Sequence, residues 1–295
     1  MFKVTGTPTR RDALRALLAL GASASLPALA QQGGQGVDVG RQSVFTNLVP
    51  AAQVEVAATR QYDQLIAQAR SQNALGPADH PQVRRLRFIA RRLIPFGETW
   101  NPRARQWKWE VNLIGSKQLN AFCMPGGKIV FFSGILEALK LDDDEVAQIM
   151  GHEMAHALRE HARERLGKSA ATRLGAGVIS SLLGLGNVGD AALNMGGKLL
   201  TLEFSREDES EADLIGMEIA ARAGYAPQAA IRLWEKMGSA SRGAPPQFLS
   251  THPSAKTRIR DLQSNLPRVA PLFKVAEKPA QRFDANLTGR RAAAE

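Results

Sequence analysis

His152-Glu153-Met154-Ala155-His156 sets two imidazoles four residues apart with a carboxylate between them. On a helix, residues i and i+4 share a face, so both rings can reach one metal ion, and zinc is the ion this donor type suits. Glu153 is rotated by about 100° from His152. That holds it beside the metal's open position without making it a ligand, where it can accept a proton from attacking water. Ile149 lies on the same face and makes the surroundings apolar, and a dry site strengthens every electrostatic interaction within it. With only five histidines in the chain, chance produces this pattern in well under about 1% of sequences of this length.

A catalytic zinc takes three protein ligands. The metzincin arrangement, with a third His six residues after the second, is excluded because Ala162 stands there and Arg159 replaces the preceding glycine. His161, five residues beyond His156, points to a different side of a continuous helix. It is expected to be solvated or to support the site from outside rather than to bind metal. The remaining solution is a Glu from a later helix, and the acidic run from Ser205 to Asp213 offers Glu207, Glu209 and Glu211. Helix geometry leaves all three open. Spacing favours Glu209, because Asp213 four residues later can accept the outer N–H of a ligating His and fix its tautomer. Glu207 with Glu211 is the weaker pairing, and the segment read alone is an acidic solvated face.

These residues need elements to hold them. Helices are predicted over 51–71 and from Asp79, with Pro81 in the first turn, to Pro95. Trp107, Trp109, Val111 and Leu113 alternate with polar residues, as a half-buried strand requires. Residues 119–124 and 128–132 add two strands joined by Pro125-Gly126-Gly127, so a small, mostly antiparallel three-stranded sheet is expected. A short helix over 133–139 precedes a long one capped by Asp142-Asp143-Asp144, and that long helix carries the His-Glu motif. Residues 174–189 are apolar but interrupted by five glycines, and 174–198 are read as a flexible helical hairpin or lid. Ser205 caps a helix to about Arg222, Gly224-Tyr225-Ala226-Pro227 breaks it from an amphipathic helix ending near Met237, and 257–266 form a last short helix. The expected class is α+β, mainly helical. Its domain spans 51–266, with a mobile tail over 267–295.

The sequence resembles a family of zinc metallopeptidases that includes CAAX prenyl endopeptidases, HtpX-type membrane proteases and periplasmic BepA-like proteases, within the gluzincin clan. The resemblance covers roughly residues 62–262. It rests on Asn120-Ala121-Phe122 with Pro125-Gly126-Gly127, on Gly151 to His156, on Ser205-Arg206 leading to Glu209 and Ala212-Asp213, and on Thr251-His252-Pro253-Ser254. It implies a zincin-like fold with the small sheet beside the active-site helix, Glu209 as third zinc ligand and Asp213 as its support. It also implies that Asn120, Ala121 and Phe122 lie on an edge strand to which substrate backbone adds. His252 matches a family histidine near the metal, where it stabilises an oxyanion or fills the open position; capping a helix before Pro253 is its plainer role. The chain departs from the membrane-embedded branches in lacking spanning helices, and from the BepA-like branch in having no room for a full C-terminal helical-repeat domain.

Bulk properties bound the rest. Hydrophobic residues make up 44% of the 295-residue chain, and no stretch reaches the length of a membrane span. Lys3, Arg10, Arg11 and Arg15 precede an apolar run, and Ala28-Leu29-Ala30 offers a signal-peptidase site. Residues 1–30 are therefore expected to be an export signal, twin-arginine or ordinary, with 31–50 a linker and the periplasm as destination. Of the net charge of +10, +3 falls in those thirty residues, leaving +7. Arg84, Arg87 and Arg91, with Arg85 and Arg92, form a basic stripe that reads first as a solvated face and second as a contact for anionic lipid or acidic clients. No nucleic-acid module accompanies it. Cys123, the single cysteine, excludes an internal disulfide and is expected to be a buried, inert thiol in a strand. The expected activity is hydrolysis of peptide bonds in extended or misfolded envelope proteins. The competing expectations are a zinc-bound chaperone or assembly factor with little proteolysis, and a structural zinc protein with His252 as a permanent fourth ligand.

Overall fold

The computed structural model describes residues 36–182, 203–240, 248, 252 and 256–285. The proposed signal at 1–30 and residues 183–202, which make up much of the anticipated hairpin, lie outside them. The first two helices are α1 (Ala51–Ser71) and α2 (Pro81–Leu93). His80, not Asp79, caps α2, its ring nitrogen accepting the Gln82 N–H. A 3-10 turn over Pro102–Gln106 delays the first strand, so β1 is Glu110–Ile114, and the Trp107 and Trp109 indoles donate to Glu55 and the Ala104 carbonyl instead of extending it.

β2 (Ala121–Met124) and β3 (Lys128–Phe132) form a hairpin. Pro125 and Gly126 occupy the centre of its turn, where φ of +88° at Gly126 and +80° at Gly127 needs residues without a Cβ. The sheet order is β1-β3-β2. β3 is antiparallel to β2 but parallel to β1, so the sheet is mixed rather than mostly antiparallel. The hairpin folds back and inserts its second strand in the middle, and local turn chemistry cannot specify that placement. β3 is buried throughout. Ile129 and Phe131 face the main core of the later helices, while Val130 and Phe132 face α1.

Past the short α3 (Ser133–Ala138) runs α4 (Asp143–Leu158), the motif helix. Asp142 accepts the Glu145 N–H at 2.8 Å and Glu145 accepts the Asp142 N–H at 2.9 Å, a reciprocal capping box. The helices that follow are α5 (His161–Leu182), α6 (Arg206–Arg222), α7 (Ala229–Ala240) and α8 (Lys256–Val275). A second capping box, Ser205 with Asp208, starts α6. α4 and α6 cross where a Cβ on Gly151 would lie 2.7 Å from the Gly216 carbonyl oxygen and one on Gly216 would lie 2.5 Å from the His152 nitrogen. Only two glycines permit that approach.

Three expectations change. α8 passes through Pro267 and Pro271 rather than stopping at 266, because Leu262, Val269 and Leu272 keep a buried face that outweighs the lost backbone hydrogen bonds. The segment beyond is anchored too, with the Phe283 N–H bonded to Asp143 and the Phe283 ring set edge-on against Phe88. Arg85 leaves the basic stripe, since it is fully buried and ion-paired with Asp143 at 2.6 Å. Cys123 is buried, as expected, and burial pushes its thiol well above the ordinary range. Among the described residues no helix is long and apolar enough to cross a membrane.

Candidate metal-dependent active site

The α4–α6 crossing sets Glu209 and Asp213 against His152 and His156, all of them buried. His252 reaches the same point from the segment between α7 and α8. Its N–H donates to the Phe248 carbonyl, and the Phe248 N–H in turn donates to the carbonyl of Leu119, just ahead of β2. The Phe248 ring stacks on His252 at 4.5 Å. His152, His156, Glu209 and His252 each present a donor atom within 4.8 Å of the others. Nε2 of His152 lies 3.1 Å from Nε2 of His156, 3.3 Å from Nδ1 of His252 and 3.6 Å from Oε2 of Glu209. Donors about 2.0–2.2 Å from a tetrahedral zinc stand about 3.4 Å from one another, so the donor set fits that ion.

Proton placement follows. His152 turns Nε2 to the donor cluster, so Nδ1 carries the hydrogen and donates to Asp213 Oδ1 at 3.0 Å. Burial opposes ionisation of Asp213, yet Arg258 and His152 hold its carboxyl down at about 2. Burial, helped by the neighbouring rings, keeps His156 well below the usual histidine range, which leaves it in the neutral form a ligand needs. Its ring is stacked on Phe204 at 4.1 Å.

Glu153 is 3% exposed and its Oε1 has no hydrogen-bond partner, an uncommon state for a buried carboxylate oxygen. Burial pushes the carboxyl up to about 7, against the pull of His252 and Arg258. A carboxyl poised there can take and return a proton near neutral pH. The Cys123 backbone N–H also bonds it. Phe132 N–H donates to Asn120 O, so the antiparallel alternation turns the backbone groups of Ala121 and Cys123 away from β3 and those of Phe122 toward it. Of the strand residues singled out, Asn120 lies just before β2, and its side chain accepts the Ala121 N–H.

One supporting residue had no signal in local spacing. Arg258, 3% exposed, ion-pairs with Glu209 Oε2 at 2.7 Å and with both oxygens of Asp213 at 2.5 and 2.7 Å, and its guanidinium lies 3.7 Å over the Trp234 ring. His161 is buried, not solvated. Glu207 is exposed on the first turn of α6 and takes no part in the cluster.

The model of peptidase family M48 matches residues 82–266, a span containing every residue of the site. The chain is 40% identical to the mitochondrial metalloendopeptidase OMA1 of Arabidopsis thaliana over 159 residues, which is 54% of this chain and 32% of that protein. The Escherichia coli beta-barrel assembly-enhancing protease is 30% identical over 170 residues, covering 54% and 35%. The metalloprotease LoiP of the same bacterium is 26% identical over 206 residues, covering 69% and 78%. The chain thus spans about a third of the length of the first two relatives.

Proposed function

The chain belongs to peptidase family M48, and from that premise we propose that it is a zinc-dependent endopeptidase whose metal ligands are His152, His156 and Glu209. The observation that carries this reading is the convergence of those three buried donors beside a further buried carboxylate, Glu153, that is free of hydrogen bonds at Oε1. Bound zinc supplies Lewis-acid polarisation of a scissile carbonyl and makes water a better nucleophile. Glu153 takes the proton from the attacking water and delivers it to the leaving amine. Asp213 holds the His152 ring in its ligating tautomer. The outward carbonyls of Ala121 and Cys123 on β2 accept from the main chain of an extended substrate, so that backbone gives affinity and side chains little selectivity. Partly unfolded protein segments are therefore the substrate class.

The setting we propose is the bacterial periplasm, with export directed by residues 1–30 and cleavage near Ala30. The basic start and the Ala28-Leu29-Ala30 site support it, as do two Escherichia coli relatives, one of them named for enhancing β-barrel assembly. Misassembled envelope proteins are then the natural clients. Glu153→Gln tests the chemistry: cleavage of casein should fall by at least about 10³-fold while zinc content is unchanged. A variant that cuts as fast as the parent would show that Glu153 is not the base.

A second reading concerns His252. Nδ1 lies 2.8 Å from Glu209 Oε1 and 3.3 Å from His152 Nε2, the position of a fourth donor, while Nε2 faces Glu153 at 3.5 Å. His252 then fills the open position in a closed, resting site. His252→Ala should retain zinc and cleave casein at least as fast as the parent. Complete loss of zinc would instead mark a structural four-ligand centre, and slow cleavage with zinc retained would mark an oxyanion donor.

A further inference from the structure

We infer that His161 and Glu211 are positioning residues for His156, forming a second relay independent of the Asp213 contact; this rests on the metal reading above. His156 directs Nε2 at the donor cluster, so its Nδ1 carries the hydrogen. That Nδ1 lies 2.9 Å from Nδ1 of His161. Two ring nitrogens can share only one hydrogen, so His161 Nδ1 accepts and the His161 proton resides on Nε2. That Nε2 lies 2.8 Å from Glu211 Oε2, which accepts it. The proton pattern is therefore fixed from ligand to carboxylate, and the ring of His156 can neither flip nor change tautomer without breaking two buried bonds.

The relay is anchored at its far end. Glu211 Oε1 ion-pairs with Arg159 at 2.5 Å. The same guanidinium donates to the Gly40 carbonyl at 3.3 Å, and Gln42 donates to the Arg159 carbonyl at 3.2 Å. The segment before α1 is thus tied into the support of a proposed ligand. His161 is 1% exposed, and Glu211 comes from α6, two residues past Glu209.

Backbone geometry explains how a residue five positions beyond His156 returns to it. Glu160 has φ +59°, so the chain leaves α4 in the left-handed region and restarts as α5 at His161. A non-glycine residue persists there only where the surrounding structure holds it. A continuous helix would carry His161 about 140° around the axis from His156 and out of reach.

Zinc affinity, measured by chelator competition on the purified chain, tests the inference. His161→Ala should weaken it by about 10- to 100-fold and Glu211→Gln by about tenfold, the range seen when outer supports of ligands are removed. His161→Asn should recover part of the loss, because its amide oxygen can still accept from His156 Nδ1. The melting temperature of the metal-free forms should stay within about 3 °C of the parent, and KM for a fluorogenic peptide at saturating zinc within about twofold. If His161→Ala does not fold, His161→Asn and Glu211→Gln decide. Zinc affinities within about twofold of the parent in both would overturn the relay while leaving the metal site standing. A parent that binds no zinc would overturn the metal reading and this inference with it.

Discussion

Arg258 holds two buried carboxylates at once, and its removal strands both. Arg258→Met should destabilise the metal-free protein by about 3–5 kcal/mol, the range for breaking a buried pair from one side, as read by denaturant unfolding. Zinc affinity should fall as well, since Glu209 and Asp213 lose the fork that aims them. Arg258→Lys, which keeps the charge but loses the paired geometry, should fall between the two. Unchanged unfolding in Arg258→Met would refute the role. At this scale the sequence was legible where chemistry is local. His152, Glu153 and His156 follow from the helical period alone, and Asp213 from the same four-residue rule applied to Glu209. Arg258 lies 45 residues from Asp213, one among many cations, and no spacing rule reaches it. His161 was read as solvated or as an outside support, and burial removes only the first. The helical period that placed it on the wrong side ends at Glu160.

The crossing of α4 and α6 turns two capped helices into a site, and it depends on the absence of two side chains. Gly216→Ala drives a Cβ into the His152 backbone, where nothing flexible can give way. It should cost about 1–3 kcal/mol by overpacking and weaken zinc binding, because Glu209 and Asp213 ride on the displaced helix. Melting temperature and chelator competition measure the two effects; a variant equal to the parent in both would show that the crossing tolerates a methyl group. Caps made these helices readable, with Asp142 and Ser205 each found at the N-terminus anticipated. The strand order was not readable. Pro125-Gly126-Gly127 announces a hairpin but says nothing of which strand lies central, a matter decided by how Ile129 and Val130 divide between two cores. Pro267 and Pro271 misled in the opposite direction, since the apolar period of α8 continues beneath them.

Across the whole molecule, both flanks of the core return to the helices of the site. Before α1, the Val37 N–H bonds buried Glu218 of α6, and Gly40 and Gln42 contact Arg159. After α8, Phe283 N–H bonds Asp143 at the start of α4. The same two helices that supply the proposed ligands are thus braced from both directions, consistent with a centre that needs its donors held to within a fraction of an ångström. The central claim is that one zinc in this cluster makes the chain a peptidase. Zinc content and casein cleavage, measured on the same purified sample before EDTA treatment, after it and after zinc is restored, test it most directly. About one zinc per chain is expected, with cleavage abolished when the metal is removed and recovered when it is restored. Cleavage that persists after the zinc has been removed would contradict it.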